Sequence, residues 1–231
     1  AQDSLVVMFW NLENFFDYTD GGEGESDREF SSSGSRHWTK KRFYAKCDMV
    51  AKSIMWIGDS YGRMPDLIGL AEIENKGVLL KLLKSTVLRK YDYEIVHYDS
   101  GDRRGIDVAL MYRRSVMSVG SVSVVTPEYE GETLPTRDIL HTQMHISDNS
   151  AIDFIVNHHP SKYGGEDEFE MRKRVSDTLL DIMKRENHNT VLAVSHGAVL
   201  GQFMLDWEHK TEVRRKERIA NCCILKFEFE N

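Results

Sequence analysis

The chain has 231 residues, 41% of them hydrophobic and 29% charged, and carries a formal net charge of −7. That composition suits one large globular domain or two small ones, with enough apolar residues for a sizeable core. The acidic balance argues against sequence-blind binding to nucleic acid through overall charge, and it leaves room for a small basic cleft that holds one phosphate.

In chain order, "SLVVMFW" (4–10) reads as a buried strand of β-branched and aromatic residues. The Gly-, Ser- and acid-rich stretch 17–35 reads as a long loop. Residues 39–57 place Phe43, Cys47, Val50, Ile54 and Ile57 at helical spacing, with Thr39 as the cap. A second buried strand covers 65–74, a helix 75–88 and a strand 93–98. "DSGDRRG" (99–105) is a turn, and strands follow at 106–113 and 116–125. The segments 137–146 and 151–159 flank the turn "SDNS" as a hairpin. An amphipathic helix over 168–186 aligns Met171, Val175, Thr178, Leu179 and Ile182. A strand at 190–195, a helix at 197–207 and a last strand at 221–230 complete the pattern. No repeat and no Pro-rich linker interrupts it. The order predicts a β-rich two-layer core with flanking helices.

The three cysteines, Cys47, Cys222 and Cys223, are odd in number and two are adjacent, which favours buried thiols over a disulfide framework. No apolar run is long enough to span a membrane, and no signal peptide is visible. The opening "AQDSLVV", without Met, favours export to an extracytoplasmic compartment. A monomer is expected.

Asn11 and Glu72 each fall at the end of a predicted strand, where a loop meets a sheet edge. Their oxygens suit a hard cation such as Mg²⁺. Taken locally, Asn11 could equally cap a turn and Glu72 form an ion pair.

Five segments in order, "WNLEN", "DLIGLAEIEN", "DRRGIDVALMYR", "TRDIL" and "NHHPSKYGG", resemble the endonuclease/exonuclease/phosphatase superfamily, the deoxyribonuclease I-like fold, over about residues 4–165. Its bacterial, often secreted, hydrolases are the nearest in pattern. The resemblance implies an α+β fold, a four-layer αββα sandwich that hydrolyses phosphate esters with Mg²⁺ or Mn²⁺. By motif, Asn11 and Glu72 would hold the metal, Arg137 would meet a phosphate oxygen, and His158 would hydrogen-bond the scissile phosphate. Arg103, Arg104 and Asn157 would border the substrate, a phosphate ester that is either a small molecule or nucleic acid. For Arg137 the alternative is a surface ion pair with Asp138, and for Arg103 and Arg104 a solvated turn. His159 stands where these relatives often have Trp and reads as a wall residue.

That chemistry also needs a "GDFND"-like segment and a C-terminal "SDH", whose His activates the attacking water. Neither string occurs after residue 165. Instead "GGEDEFEMRKRVSDTLLDIM", "VLAVSHGAVLGQF" and "IANCCILKFEFEN" resemble the C-terminal part of the histidine phosphatase (phosphoglycerate mutase-like) superfamily over about 164–231. There His196 would lie beside the transferred phosphate, with Glu166 near the same pocket. The N-terminal Arg-His-Gly nucleophile of that family is missing: the only Arg-His pair, Arg36-His37, precedes Trp38.

The expectation is thus a single domain over 1–231, in which 1–165 is the metal-dependent part and 166–231 completes the core, with 190–195 in the slot of the strand that leads to "GDFND". A chimera would explain the join. The leading function is a metal-dependent phosphoesterase of reduced activity. The alternatives are a metal-free phosphomonoesterase using His196, and an inactive phosphate-binding hybrid.

Overall fold

The computed structural model describes residues 4–158 except 20, 23, 130, 134–135 and 147–149, and beyond them only Asp177, Asp181, Lys184 and 191–194. Asp177, Asp181 and Lys184 are helical, as the 168–186 pattern requires. The expected turn at 147–150 lies mostly outside the described residues, and the helix at 197–207 and strand at 221–230 lie wholly outside them.

Two four-stranded sheets form the frame. The first contains β1 (Val7–Phe15), β2 (Leu67–Ile73), β4 (Asp107–Arg113) and β3 (Tyr93–His97), in the order β1-β2-β4-β3. The second contains β10 (Val191–Val194), β9 (Ala151–Val156), β8 (Ile139–Ile146) and β5 (Met117–Val125), in the order β10-β9-β8-β5. A small ribbon pairs β6 (Glu128–Tyr129) with β7 (Glu132–Thr133). β1–β2 and β9–β10 are parallel and the other pairs are antiparallel. The strand expected at 190–195 therefore does join the second sheet, beside β9.

Helices α1 (Lys40–Tyr61) and α2 (Lys76–Ser85) cover the outer face of the first sheet. Thr39 caps α1 by accepting from the Arg42 N–H, and Asn75 caps α2 by accepting from the Val78 N–H. Gly62 ends α1 at φ 69°, a left-handed turn that suits glycine. The buried stripe of α1 is Phe43, Cys47, Val50 and Ile54, matching the predicted face; Ile57 is only half-buried.

Strand alternation makes two cores. On β4, Ala109 and Met111 face the helices, while Val108, Leu110 and Tyr112 face the second sheet. On β2, Leu67 and Ala71 pack between the sheets, and Ile68 and Leu70 pack under the helices. Strict alternation would send Glu72 under the helices too. A bulge prevents this: Ala71 pairs with Val108 and Ile73 with Asp107, so Glu72 has no partner on β4, and Ile73 takes the apolar place instead. At Gly69 the sheets come close, since an added Cβ would lie 3.4 Å from Val156 Cγ2 on β9. The architecture is an α+β sandwich, with helix, sheet and sheet layers among the described residues.

Candidate active site

Topology delivers the polar residues to one edge. β1 and β2 end there, β3 ends there, and β4 begins there, because β1 and β2 run parallel while β4 is antiparallel to both its neighbours. In the second sheet β9 ends beside the start of β8. Two contacts place these edges together: His158 Nε2 lies 3.5 Å from Glu72 Oε1, and Arg137 Nε lies 3.1 Å from Asp102 Oδ2.

Glu72 is the hub. Its backbone is left-handed, at φ 58°, as are Glu13 and Asn14 on the facing irregularity of β1, at 56° and 60°. Left-handed backbone at a non-glycine residue costs of the order of 1–3 kcal/mol and persists where the surroundings impose it. Here the bulge imposes it, and the result lifts a carboxylate to the rim of the sandwich. Glu72 Oε2 accepts from the Asn14 N–H at 2.9 Å, and Oε1 accepts from Asn11 Nδ2 at 3.1 Å. Asn11 lies inside β1, four residues before its end, whereas the sequence pattern had put it after the strand. The β-pairing continues through "NLENF" across the irregularity.

Arg104 reaches the same cluster, its Nη2 donating to Asn14 Oδ1 at 2.5 Å. Arg103 turns away: it is exposed, with Nε 3.3 Å from Glu25 Oε2. The solvated-turn reading thus describes Arg103 and not Arg104. Arg137 is buried, and its ion partner is Asp102, not the neighbouring Asp138. Burial raises the Asp102 pKa, and the Arg137 charge opposes that rise. Asn157 and His158 follow directly on β9 and are both buried. His159, Glu166 and His196 lie outside the described residues. β10 ends at Val194, which pairs with Val156, so that strand runs toward the same edge.

Sequence reasoning passed over three members of this edge. Asn14 and Asp102 sit inside quoted motifs yet were given no role. Lys46 lies on α1, its Nζ donating to the Glu13 carbonyl at 2.7 Å and lying 5.5 Å from the Trp38 ring. Burial lowers the Lys46 pKa, against the pull of the Glu13 and Glu72 charges. A lysine beside the apolar stripe, three residues after Phe43, was the available signal.

For a hard cation, Glu72 fits as placed, since two carboxylate oxygens stand at the rim with imidazole and amide groups against them. Asn11 fits less directly. Its Oδ1 accepts from the Glu13 N–H at 2.8 Å, and its amide nitrogen is the atom that faces Glu72.

A model of the Endonuclease/Exonuclease/phosphatase family matches residues 6–198. The chain belongs to the endonuclease/exonuclease/phosphatase family. The match continues well past residue 165 and takes in β10, so the family pattern covers part of the segment that also resembled histidine phosphatases. No curated protein sequence matches the chain. Among solved structures, an endonuclease/exonuclease/phosphatase family protein from Bacteroides thetaiotaomicron is similar at 16% identity and TM-score 0.56, over 87% of this chain and 68% of that one. A mannosyl-6-phosphatase from Bacteroides thetaiotaomicron is similar at 15% identity and TM-score 0.53, over 84% of this chain and 65% of that one. A humanized D. rerio TDP2 is similar at 14% identity and TM-score 0.51, over 86% of this chain and 66% of that one. The chain thus spans about two thirds of the length of these family structures. At such identities the likeness carries the fold, which is that of the deoxyribonuclease I-like sandwich.

Proposed function

We propose that the chain is a divalent-metal-dependent phosphoesterase in which Glu72, joined by Asn11, holds Mg²⁺ or Mn²⁺. The observation that carries this reading is the 3.5 Å approach of His158 Nε2 to Glu72 Oε1 across two sheets. It supports the reading because the carboxylate proposed to hold the metal and the imidazole proposed to meet the phosphate approach each other on the rim. A metal bound there would draw charge from a phosphoryl oxygen. Arg137, fixed by Asp102 through Nε, would bind a second phosphate oxygen, and His158 would donate to the scissile phosphate. Arg104 and Asn157 would line the substrate, and Arg103 would guide it from the outer turn. Neither a "GDFND"-like nor an "SDH" string occurs within these 231 residues, and each acid or base group of that kind typically contributes roughly 10²–10⁴-fold, so these residues on their own would turn over slowly.

The test is hydrolysis of bis-p-nitrophenyl phosphate and p-nitrophenyl phosphate with Mg²⁺, with Mn²⁺ and with EDTA. Metal-dependent turnover that disappears in Glu72→Ala is the expected result. A second reading takes its support from β10, which runs to the same edge two residues short of His196. Under it, EDTA-resistant monoester hydrolysis would disappear in His196→Ala. Phosphate binding with no turnover under any condition would leave the inactive hybrid.

A further inference from the structure

We propose that His97, Asp99 and Asp107 form a second divalent-cation site, separate from Glu72, that braces the loop carrying Arg103 and Arg104. His97 ends β3 and Asp107 begins β4, so the antiparallel pairing brings them together. His97 Nε2 lies 3.2 Å from Asp107 Oδ2 and 4.0 Å from Asp99 Oδ1, and one ligand atom from each of the three lies within 4.8 Å of the others. Ligand atoms about 2.0–2.2 Å from a shared ion stand roughly 3–4 Å apart, so these separations already suit one. The His97 and Asp107 side chains are 3% and 5% exposed, which pre-forms half of the site, while Asp99 is 84% exposed and free to swing onto an ion.

An independent observation comes from the second sheet. Asp138, just before β8, lines with Asp107 and Ser100 a cavity of about 10 Å³, room for one water-sized sphere. Its Oδ1 is buried and accepts no hydrogen bond among the described residues. Burial raises the Asp138 pKa; a hydrogen bond with Thr126 opposes this, and the Asp107 charge adds to it. Asp107 thus stands between two further carboxylates, Asp99 beside the imidazole and Asp138 across the cavity. A cation would relieve that repulsion. One imidazole with carboxylates favours Zn²⁺, Co²⁺ or Mn²⁺ over Ca²⁺ and Mg²⁺.

The site would act on the rim through a run of hydrogen bonds. Ser100 Oγ donates to Asp107 Oδ1 at 2.5 Å and accepts from the Asp102 N–H at 3.3 Å. Asp102 Oδ1 accepts from the Arg104 N–H at 3.0 Å, and Arg104 in turn holds Asn14. An ion at His97 fixes the first link of that run.

The test uses the full chain stripped with EDTA and titrated with Co²⁺, read by equilibrium dialysis and by the visible d–d spectrum. In Glu72→Gln, a Co²⁺ equivalent with a histidine-type spectrum should remain. In His97→Gln that equivalent and its spectrum should be lost. Asp99→Asn changes an exposed side chain and leaves the fold intact, and it should weaken Co²⁺ binding roughly 10-fold or more. Unchanged Co²⁺ binding in Asp99→Asn or His97→Gln overturns the proposal, as does loss of all Co²⁺ in Glu72→Gln. If Glu72 holds no metal, Glu72→Gln will titrate like the parent while His97→Gln still loses its equivalent, so the two sites are judged separately.

Discussion

Asp102→Asn isolates the grip on Arg137. Both side chains are buried, at 4% and 7% exposure, and their charged atoms are 3.1 Å apart. At an effective dielectric of about 20, the Coulomb attraction at that separation is about 5 kcal/mol. Asn keeps the shape and still accepts from the Arg104 N–H, so the change removes charge and little packing. Removing one partner of a buried pair typically costs about 3–5 kcal/mol, because the other charge stays buried. For a chain of this size that lowers Tm by roughly 6–20 °C. Urea unfolding followed by circular dichroism measures it, as a fall in the midpoint at constant m. The double variant Asp102→Asn/Arg137→Met removes both charges and should recover most of the loss, since apolar replacement of a whole buried pair is often neutral. A loss below about 1 kcal/mol in Asp102→Asn would refute the reasoning. So would a double variant no more stable than the single.

Three further outcomes are expected. Burial pushes the Asp92 carboxyl up, but bonds from Ser115 and Arg113 outweigh it and hold the group at about 2. Its folded pKa is depressed below the unfolded 3.8, so its stabilisation is present above about pH 4 and lost as pH falls through about 2. Asp92→Asn should therefore cost up to about 2 kcal/mol at pH 7, with the gap to the parent closing in acid, as measured by urea midpoints across pH. Glu72→Gly should be more stable than Glu72→Ala by about 1 kcal/mol, since only glycine meets φ 58° without strain, and both should lack metal-dependent turnover. Equal stabilities in thermal melts would remove strain from the account of the bulge. Phe43→Ala should cost about 3–5 kcal/mol, because Phe43 is fully buried and stacks on Phe15 with ring centroids 5.4 Å apart; denaturant titration reads it directly.

The frame was legible because each element follows a local rule. Phe43, Cys47, Val50 and Ile54 repeat at helical spacing, and Thr39 sits where a cap belongs. β4 alternates cleanly between two cores. The ribbon of β6 and β7 was not anticipated, because two-residue strands have no period to detect. The extent of β1 was misjudged for a different reason. "NLEN" looks like the end of a strand, since polar residues replace apolar ones, yet pairing resumes at Phe15 after two left-handed residues. A bulge is defined by its partner strand, and no single-strand pattern can show it.

Residues of this edge can be named from motif, whereas their pairings cannot. Glu72, Asn11, Arg137 and His158 were each identifiable by motif, but their partners are far away in sequence. Sequence proximity offers Arg137 its neighbour Asp138. Backbone geometry decides otherwise: the two side chains leave the chain in different directions, Arg137 toward Asp102 and Asp138 into the cavity beside Asp107. That divergence divides the edge into a cationic half, with Arg104 and Arg137, and an anionic half, with Asp99 and Asp107 beside His97 and Asp138 across the cavity from Asp107. Asp102 stands between them, bonded to the Arg104 backbone, to Ser100 and to Arg137. A phosphate would be attracted to the first half and a cation to the second. Loss of Asp102 should therefore disturb both halves, and phosphate and Co²⁺ titrations should both detect it.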